Sequence, residues 1–282
     1  MTASPSLELP AAIPGFADFG HISLEGLPNT RDLGGMPTAD GRCIKPGCLL
    51  RSGALHHATS SDLEHFRSDL HLACVVDLRT TLEREKDPDP YRKLPQTAFY
   101  DLPVLTTGAL GVTHEGDLGE ELKQLSGTKI DIHGIVRSIY EHALVSPEGR
   151  IAYGSFLTIA LESPKGALLW HCTEGKDRAG LAAVIIERAL GVTEQNTKAD
   201  YLATNLFVQN HLEKMLDSLA EKFPALQGLD GSVDAAFYAF SDYFACAMAS
   251  VDKAYGSFDA YLRDGLSFGP EKQEALRARY LG

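Results

Sequence analysis

The chain has 282 residues, 44% of them apolar, and a formal net charge of -12 at pH 7. That length and hydrophobicity suit one large domain or two small ones, each with an ordinary packed core. The acidic balance argues against a nucleic-acid partner, and no apolar run approaches the ~20 residues of a membrane span, so stable membrane insertion is not expected.

The five cysteines, at 43, 48, 74, 172 and 246, fit neither a disulfide framework nor a zinc spacing. The ten histidines include no HxH or HExxH arrangement, so no metal and no other cofactor are expected. Residues 1–20 are rich in Pro and small residues and read as an extended arm. They have neither the basic start nor the apolar core of a signal peptide, which makes cytoplasmic residence the expectation. Residues 21–282 read as one domain.

His21 to Leu27 alternates weakly, as an edge strand would, and Asn29 to Gly35 is a tight loop ending in two glycines. Cys48 to Arg51 is a short strand running into Ser52-Gly53, and Ser60 to Leu70 is a capped helix with Leu63, Phe66 and Leu70 on one face. Leu72 to Leu78 is apolar up to Asp77, the mark of a strand buried on both faces of a parallel sheet. Sites in such sheets lie beyond the strands' carboxyl ends, where Arg51, Asp77 and Arg79 would gather. Glu83 to Pro95 is charged, carries three prolines and reads as a surface connection. Ala98 to Val104 returns as a strand. Thr106 to Thr128 is Gly-rich, acidic and aperiodic, either a flap beside the site or an excursion without regular structure.

Helices are expected over Ile130 to Leu144 and Gly149 to Leu161, before a buried strand from Ala167 to His171. The chain then reads Cys172-Thr173-Glu174-Gly175-Lys176-Asp177-Arg178-Ala179-Gly180, a polar loop followed at once by the apolar helix Leu181 to Ile186. A loop between a strand end and a helix start turns backbone N–H groups toward one point, and the helix dipole adds positive charge there. Arg178 can meet two phosphate oxygens with its planar fork. Such donors favour the thiolate, so Cys172 reads as a nucleophile aimed at phosphorus. After Gly191 stops this helix, two stripes follow: Leu202, Leu206, Leu212, Met215, Leu216, Leu219 and Phe223, then Val233, Phe237, Phe240, Phe244, Met248 and Val251. They either complete the core or fold over the loop. Two short helices close the chain over residues 257–281.

His-Cys-x-x-Gly-Lys-Asp-Arg-x-Gly at 171–180 resembles the reactive loop of the bacterial and fungal tyrosine phosphatases of the IphP type. Asn29-Thr30-Arg31-Asp32-Leu33-Gly34-Gly35, Leu50-Arg51-Ser52-Gly53-Ala54-Leu55, Val76-Asp77-Leu78-Arg79 and the tail, Tyr255 to Leu262 with Leu276 to Leu281, resemble the family too. One position departs: the family usually has Thr or Ser after the arginine, and this chain has Ala179. The resemblance implies phosphotyrosine peptides as substrates, with phosphoserine, phosphothreonine or phosphoinositides for some members, and a helical lid over roughly 193–255. It also suggests that Asn29, Arg31 and Asp32 support the wall of the site.

The expected fold is therefore α/β, with a central, mostly parallel sheet, flanking helices and a helical lid insertion. The expected function is hydrolysis of a phosphomonoester on a protein or phosphoinositide through a phosphocysteine. Cys172 attacks, while Arg178 and the loop from Thr173, Glu174, Gly175 and Lys176 to Ala179 hold the phosphoryl oxygens. Lys176 either meets a second anionic group or is a solvated surface residue. Asp177 is the candidate general acid, or else it orients Arg178 or caps the helix. Asp77 and Asp101 are rival acids, His171 is expected to fix the loop, and Arg51 and Arg79 either touch substrate or brace carboxylates. An inactive phosphate-binding adaptor is the alternative from another class. A nucleotide-hydrolysing loop is excluded, because Gly175-Lys176 is followed by Asp177 rather than Ser or Thr.

Overall fold

The computed structural model describes residues 7–106, 108–109, 112–113, 131–222 and 232–282. Its centre is a sheet of five strands: β1 Arg31–Asp32, β2 Leu49–Ser52, β3 Leu72–Asp77, β4 Ala98–Asp101 and β5 Ala167–His171, in the order β1-β2-β5-β3-β4. Only β1 runs antiparallel to its neighbour. β5 is central and buried throughout, as its unbroken apolar run requires. Its His171 lies level with Ser52 on one side and Asp77 on the other. Three strands thus end together at the start of the Cys172 loop.

Successive residues of the inner strands serve two cores. Leu50, Val75 and Leu169 pack with Leu63 and Phe66 of α1, Ser60–Ser68, whereas Leu49, Val76, Leu168 and Trp170 join the larger core on the opposite face. That larger core is built by α3 Ile132–Ala143, α4 Pro147–Glu162, α5 Asp177–Leu190, α6 Glu194–Lys222 and α8 Ser241–Tyr255. α4 starts from a Ser146 cap with Pro147 in its first turn, and α5 stops at Gly191, whose φ of 92° suits a residue without a Cβ. Short α7, Ser232–Phe237, precedes α8. Phe258–Ala260 and a π turn at Tyr261–Gly265 then lead to α9, Pro270–Tyr280. No helix among the described residues is long and apolar enough to cross a membrane.

The arm is not detached from the domain. Ile13, Phe16 and Phe19 are buried in the main core, and the Glu8 carbonyl and carboxylate accept from Asn205 of α6 and the Ser241 amide of α8. Two expectations need correction. The edge strand lies at Arg31–Asp32, inside the segment read as a loop, and His21 contributes only an isolated bridge to Arg31. The Glu83 to Pro95 connection is not simply surface: Thr80 and Glu83 form a capping box that starts α2, Thr81–Lys86, and Glu83 and Asp89 are buried. Most of Thr106 to Thr128, and the side chains of Met215, Leu216, Leu219, Phe223 and Val233, lie outside the described residues.

Trp170 locks the sheet to α5. Its ring packs edge-on against Phe156 of α4 and its Nε1–H donates to the Ala179 carbonyl at 3.0 Å. Trp170→Ala is expected to lower unfolding stability by about 3–5 kcal/mol, the usual cost of emptying a buried aromatic site. Urea denaturation followed by circular dichroism measures it.

Candidate active site

The loop from Cys172 to Lys176 is held by its carbonyls. The Thr173 carbonyl accepts from the Ala54 amide at 2.9 Å, the Glu174 carbonyl from Asn29 Nδ2 at 3.2 Å and the Gly175 carbonyl from Arg51 Nη2 at 2.8 Å. A peptide unit is planar, so drawing a carbonyl outward turns the following N–H inward. Among the described residues no backbone acceptor meets the amides from Thr173 to Arg178, which leaves them for an anion at the amino end of α5. Gly175 makes the turn possible. Its φ is 69°, and a Cβ there would lie 2.5 Å from the Ser52 carbonyl oxygen.

Arg178 is buried and aimed by Glu83. Its Nη1 and Nη2 donate to the two Glu83 oxygens at 2.5 and 2.9 Å, and Thr173 Oγ1 donates to the same carboxylate at 2.6 Å. Burial alone would pull the guanidinium down, but Glu83 and then Cys172 hold it above its ordinary value. Nη2 also donates to the Val112 carbonyl at 2.8 Å. Among the described residues, Arg178 Nε meets no acceptor. An unpaired N–H on a buried cation is costly, and a phosphoryl oxygen would satisfy it. By contrast Cys74, on β3, has its thiol pushed up to about 12 by burial and is a packing residue.

Behind Cys172 lies a second buried charge cluster. His171 Nδ1 is 3.0 Å from the Cys172 carbonyl and Nε2 is 2.9 Å from Asp89 Oδ2. Both partners accept, so the ring fits its site with a proton on each nitrogen. Burial would lower the imidazole, but the charges of Asp89 and then Asp77 outweigh it and raise it above its ordinary value. Arg79 donates to both Asp77 oxygens and to Asp89 Oδ1. Asp77, Asp89 and His171 each place one ligating atom within 4.8 Å of the others, but Arg79 already supplies a cation to both carboxylates. Of the rival acids, Asp77 is thereby paired with Arg79, and Asp101 stands half-exposed beside Arg84.

Asp177 and Lys176 sit on the other side. Asp177 Oδ1 accepts from Tyr140 of α3 at 2.6 Å and lies 3.4 Å from Lys176 Nζ. Lys176 is not a solvated surface residue: it is 1% exposed and donates to the Ala236 carbonyl of α7. Arg31 and Arg51 share Asp200 of α6, at 2.8 and 2.7 Å, and Arg51 links that pair to the loop through Gly175. Burial and the neighbouring Arg51 bring Arg31 down to about 9, and burial with the Asp200 charge holds Glu187 well above the usual carboxylate range. Asp32 does not reach the loop. Its oxygens accept from the Gly34 and Gly47 amides and close the turn below β1. Ala179 is fully buried at the start of α5.

A model of the tyrosine phosphatase family matches residues 22–282. The chain belongs to that family. A Cupriavidus necator protein whose name assigns it provisionally to the tyrosine-protein phosphatases is 30% identical over 278 residues, 98% of this chain and 93% of its own. The triple specificity protein phosphatase PtpB of Mycobacterium tuberculosis is 24% identical, over 86% of this chain and 92% of its own. The core catalytic domain of the PP-IP phosphatase SIW14 from S. cerevisiae covers 72% of this chain and 98% of its own at 15% identity, with a TM-score of 0.31.

Within this phosphatase the residues missed by sequence reasoning are Glu83, Asp89, Tyr140 and Asp200. Thr80-x-x-Glu83 is a legible capping box, but nothing local says that its carboxylate also meets an arginine 95 positions later.

The Asp89–His171 pair should leave a mark on stability. Asp89 is held below the usual carboxylate range, against burial, by His171 and Arg79, so its contribution is present above about pH 4 and lost in acid. The raised His171 contributes fully below about pH 6.5 and loses that contribution as pH rises through its own folded value. Asp89→Asn is therefore expected to destabilise by about 3–5 kcal/mol between these limits and by less in alkali. Denaturation midpoints of both proteins from pH 4 to 10 measure the difference; a gap that does not change with pH would show that the pair carries no charge.

Proposed function

We propose that this phosphatase hydrolyses phosphotyrosine on proteins through a phosphocysteine. The observation that carries the proposal is an Arg178 Nε and a run of loop amides after Cys172 that, among the described residues, meet no acceptor and no backbone acceptor respectively. The Cys172 sulfur attacks phosphorus and the P–O bond to the leaving group breaks with its electron pair on oxygen, which takes a proton from Asp177. Water then attacks phosphorus, gives its proton to Asp177 and displaces the thiolate. Arg178 and the amides hold the equatorial oxygens, whose charge is spread in the transition state. Asn29, Arg31 and Arg51 act through the loop rather than on substrate. The mycobacterial relative's name supports a breadth of substrates, and Lys176 would serve a second anionic group only once the Ala236 carbonyl gives it up.

Val112 and Ala236 are read as lid contacts. Each brings a main-chain carbonyl to one of the two loop cations. The expected lid over 193–255 would then have a second part near Val112.

Cys172→Ser is expected to abolish turnover of phosphotyrosine peptides while binding is kept, since the oxygen nucleophile is far weaker and the cradle is untouched. Phosphate release and peptide binding, measured side by side, test it. Turnover above background in the variant would remove the covalent mechanism.

Ala179 makes a separate prediction. A hydroxyl there could donate to the sulfur and ease its departure, and the Thr173 hydroxyl does not replace it because it donates to Glu83. One hydrogen bond to a charged group contributes roughly 1.5–3 kcal/mol, so breakdown of the phosphocysteine should be slowed about ten- to a hundredfold. Rapid-quench kinetics should show a burst of alcohol release, and Ala179→Thr should shrink it and raise kcat.

A further inference from the structure

Asp177 stands in the first turn of α5, directly after the loop, and its surroundings go beyond what an acid alone needs. Tyr140 Oη donates to Asp177 Oδ1 at 2.6 Å, and Tyr201 Oη donates to Tyr140 Oη at 2.9 Å. Both phenols are fully buried, on α3 and α6. A phenol has one proton. Since Tyr140 gives its proton to the carboxylate, its lone pair is left for Tyr201, and the chain runs one way, from Tyr201 through Tyr140 to Asp177. Hydrogen bonds in such a series polarise one another.

We propose, on the reading of Asp177 as general acid, that Tyr140 backed by Tyr201 is a positioning residue for that acid. The Tyr140 proton occupies Oδ1, so the transferable proton of Asp177 resides on Oδ2. As the P–O bond to the leaving group breaks, that proton passes from Oδ2 to the departing oxygen and negative charge develops on the carboxylate. The Tyr140 hydrogen bond strengthens as that charge grows, which favours the transition state over the ground state. In the second step, water gives a proton back to Oδ2 while its oxygen bonds to phosphorus and the S–P bond breaks.

The other groups facing Asp177 do not replace this donor. Lys176 Nζ donates to the Ala236 carbonyl and also forms an ion pair with Asp177 Oδ1 at 3.4 Å, longer than the 2.6 Å bond from Tyr140. Arg178 is engaged by Glu83 and Val112, and Tyr153 donates to the Arg178 carbonyl. Tyr243 donates to the Ala235 carbonyl. Burial, then the Asp177 charge, holds both Tyr140 and Tyr201 well above the ordinary phenol value, so the series stays protonated across the working range of pH.

The experiment compares the pH dependence of kcat/KM for p-nitrophenyl phosphate, a good leaving group, and phenyl phosphate, a poor one, in the full chain and in Tyr140→Phe, Tyr201→Phe and Asp177→Asn. Losing a donor to the carboxylate makes the acid harder to deprotonate. Tyr140→Phe should therefore move the alkaline limb for phenyl phosphate upward by about one pH unit and lower its maximum rate about tenfold. The loss for p-nitrophenyl phosphate should be several-fold smaller. Tyr201→Phe, which keeps the direct donor, should move the limb the same way by less. An unmoved limb in both phenylalanine variants, with equal losses for the two substrates, would overturn the proposal and leave the tyrosines as packing residues. If Asp177→Asn itself slows both substrates equally, the failure lies in the reading of Asp177 as the acid.

Discussion

The constraint on which the site depends is the outward pull on three successive carbonyls, those of Thr173, Glu174 and Gly175. Their donors come from separate parts of the chain: the Ala54 amide after β2, Asn29 before β1 and Arg51 within β2. An amide and its carbonyl point in opposite senses across a rigid plane, so fixing the carbonyls fixes the amides. The anion cradle is thus a by-product of satisfying carbonyls elsewhere. Such a cradle is organised by the protein's own hydrogen bonds, which under the proposed mechanism would spare the reaction that cost.

Four arginines are buried around this loop: Arg31, Arg51, Arg79 and Arg178. Several kcal/mol of desolvation per ion makes each impossible without a partner, and each has one: Asp200 for Arg31 and Arg51, Asp77 and Asp89 for Arg79, Glu83 for Arg178. Arg178 differs from Arg79 in what remains. Each nitrogen of Arg79 donates to a protein oxygen, whereas Arg178, like Arg31 and Arg51, has an Nε without an acceptor among the described residues, and of these three only Arg178 belongs to the segment that follows Cys172. Glu83 also takes the Thr173 hydroxyl, tying the position of the arginine to that of the loop.

Local signals made the sheet legible. Leu72 to Asp77 and Ala167 to His171 are unbroken apolar runs, and such runs mark strands buried on both faces. The segment from Cys172 to Arg178 was legible as a strand-to-helix loop because its residues are contiguous in sequence. Glu83, Asp89 and Asp200 were not, since each is an ordinary acidic residue on a helix or between prolines, and only the fold reveals the buried cation it meets. For Lys176 the loop left two readings, a ligand for a second anionic group or a solvated surface residue; the side chain is buried and donates to the Ala236 carbonyl, 60 residues on, which removes the second. Asp32, close to the site in sequence, is spent on the Gly34 and Gly47 amides instead.

Two carbonyls, from Val112 and Ala236, now lie against the cations that a phosphate would want. A carbonyl carries only a partial charge, so a dianionic phosphate would compete with each of them for its cation. Displacing the Ala236 carbonyl would also reach Asp177. α7, which supplies the Ala236 carbonyl, packs on α3, as does α8, whose Tyr243 holds α7 through Ala235. α3 carries Tyr140. A shift of α7 that releases Lys176 would therefore act on the helix whose phenol meets Asp177, the group proposed as the acid.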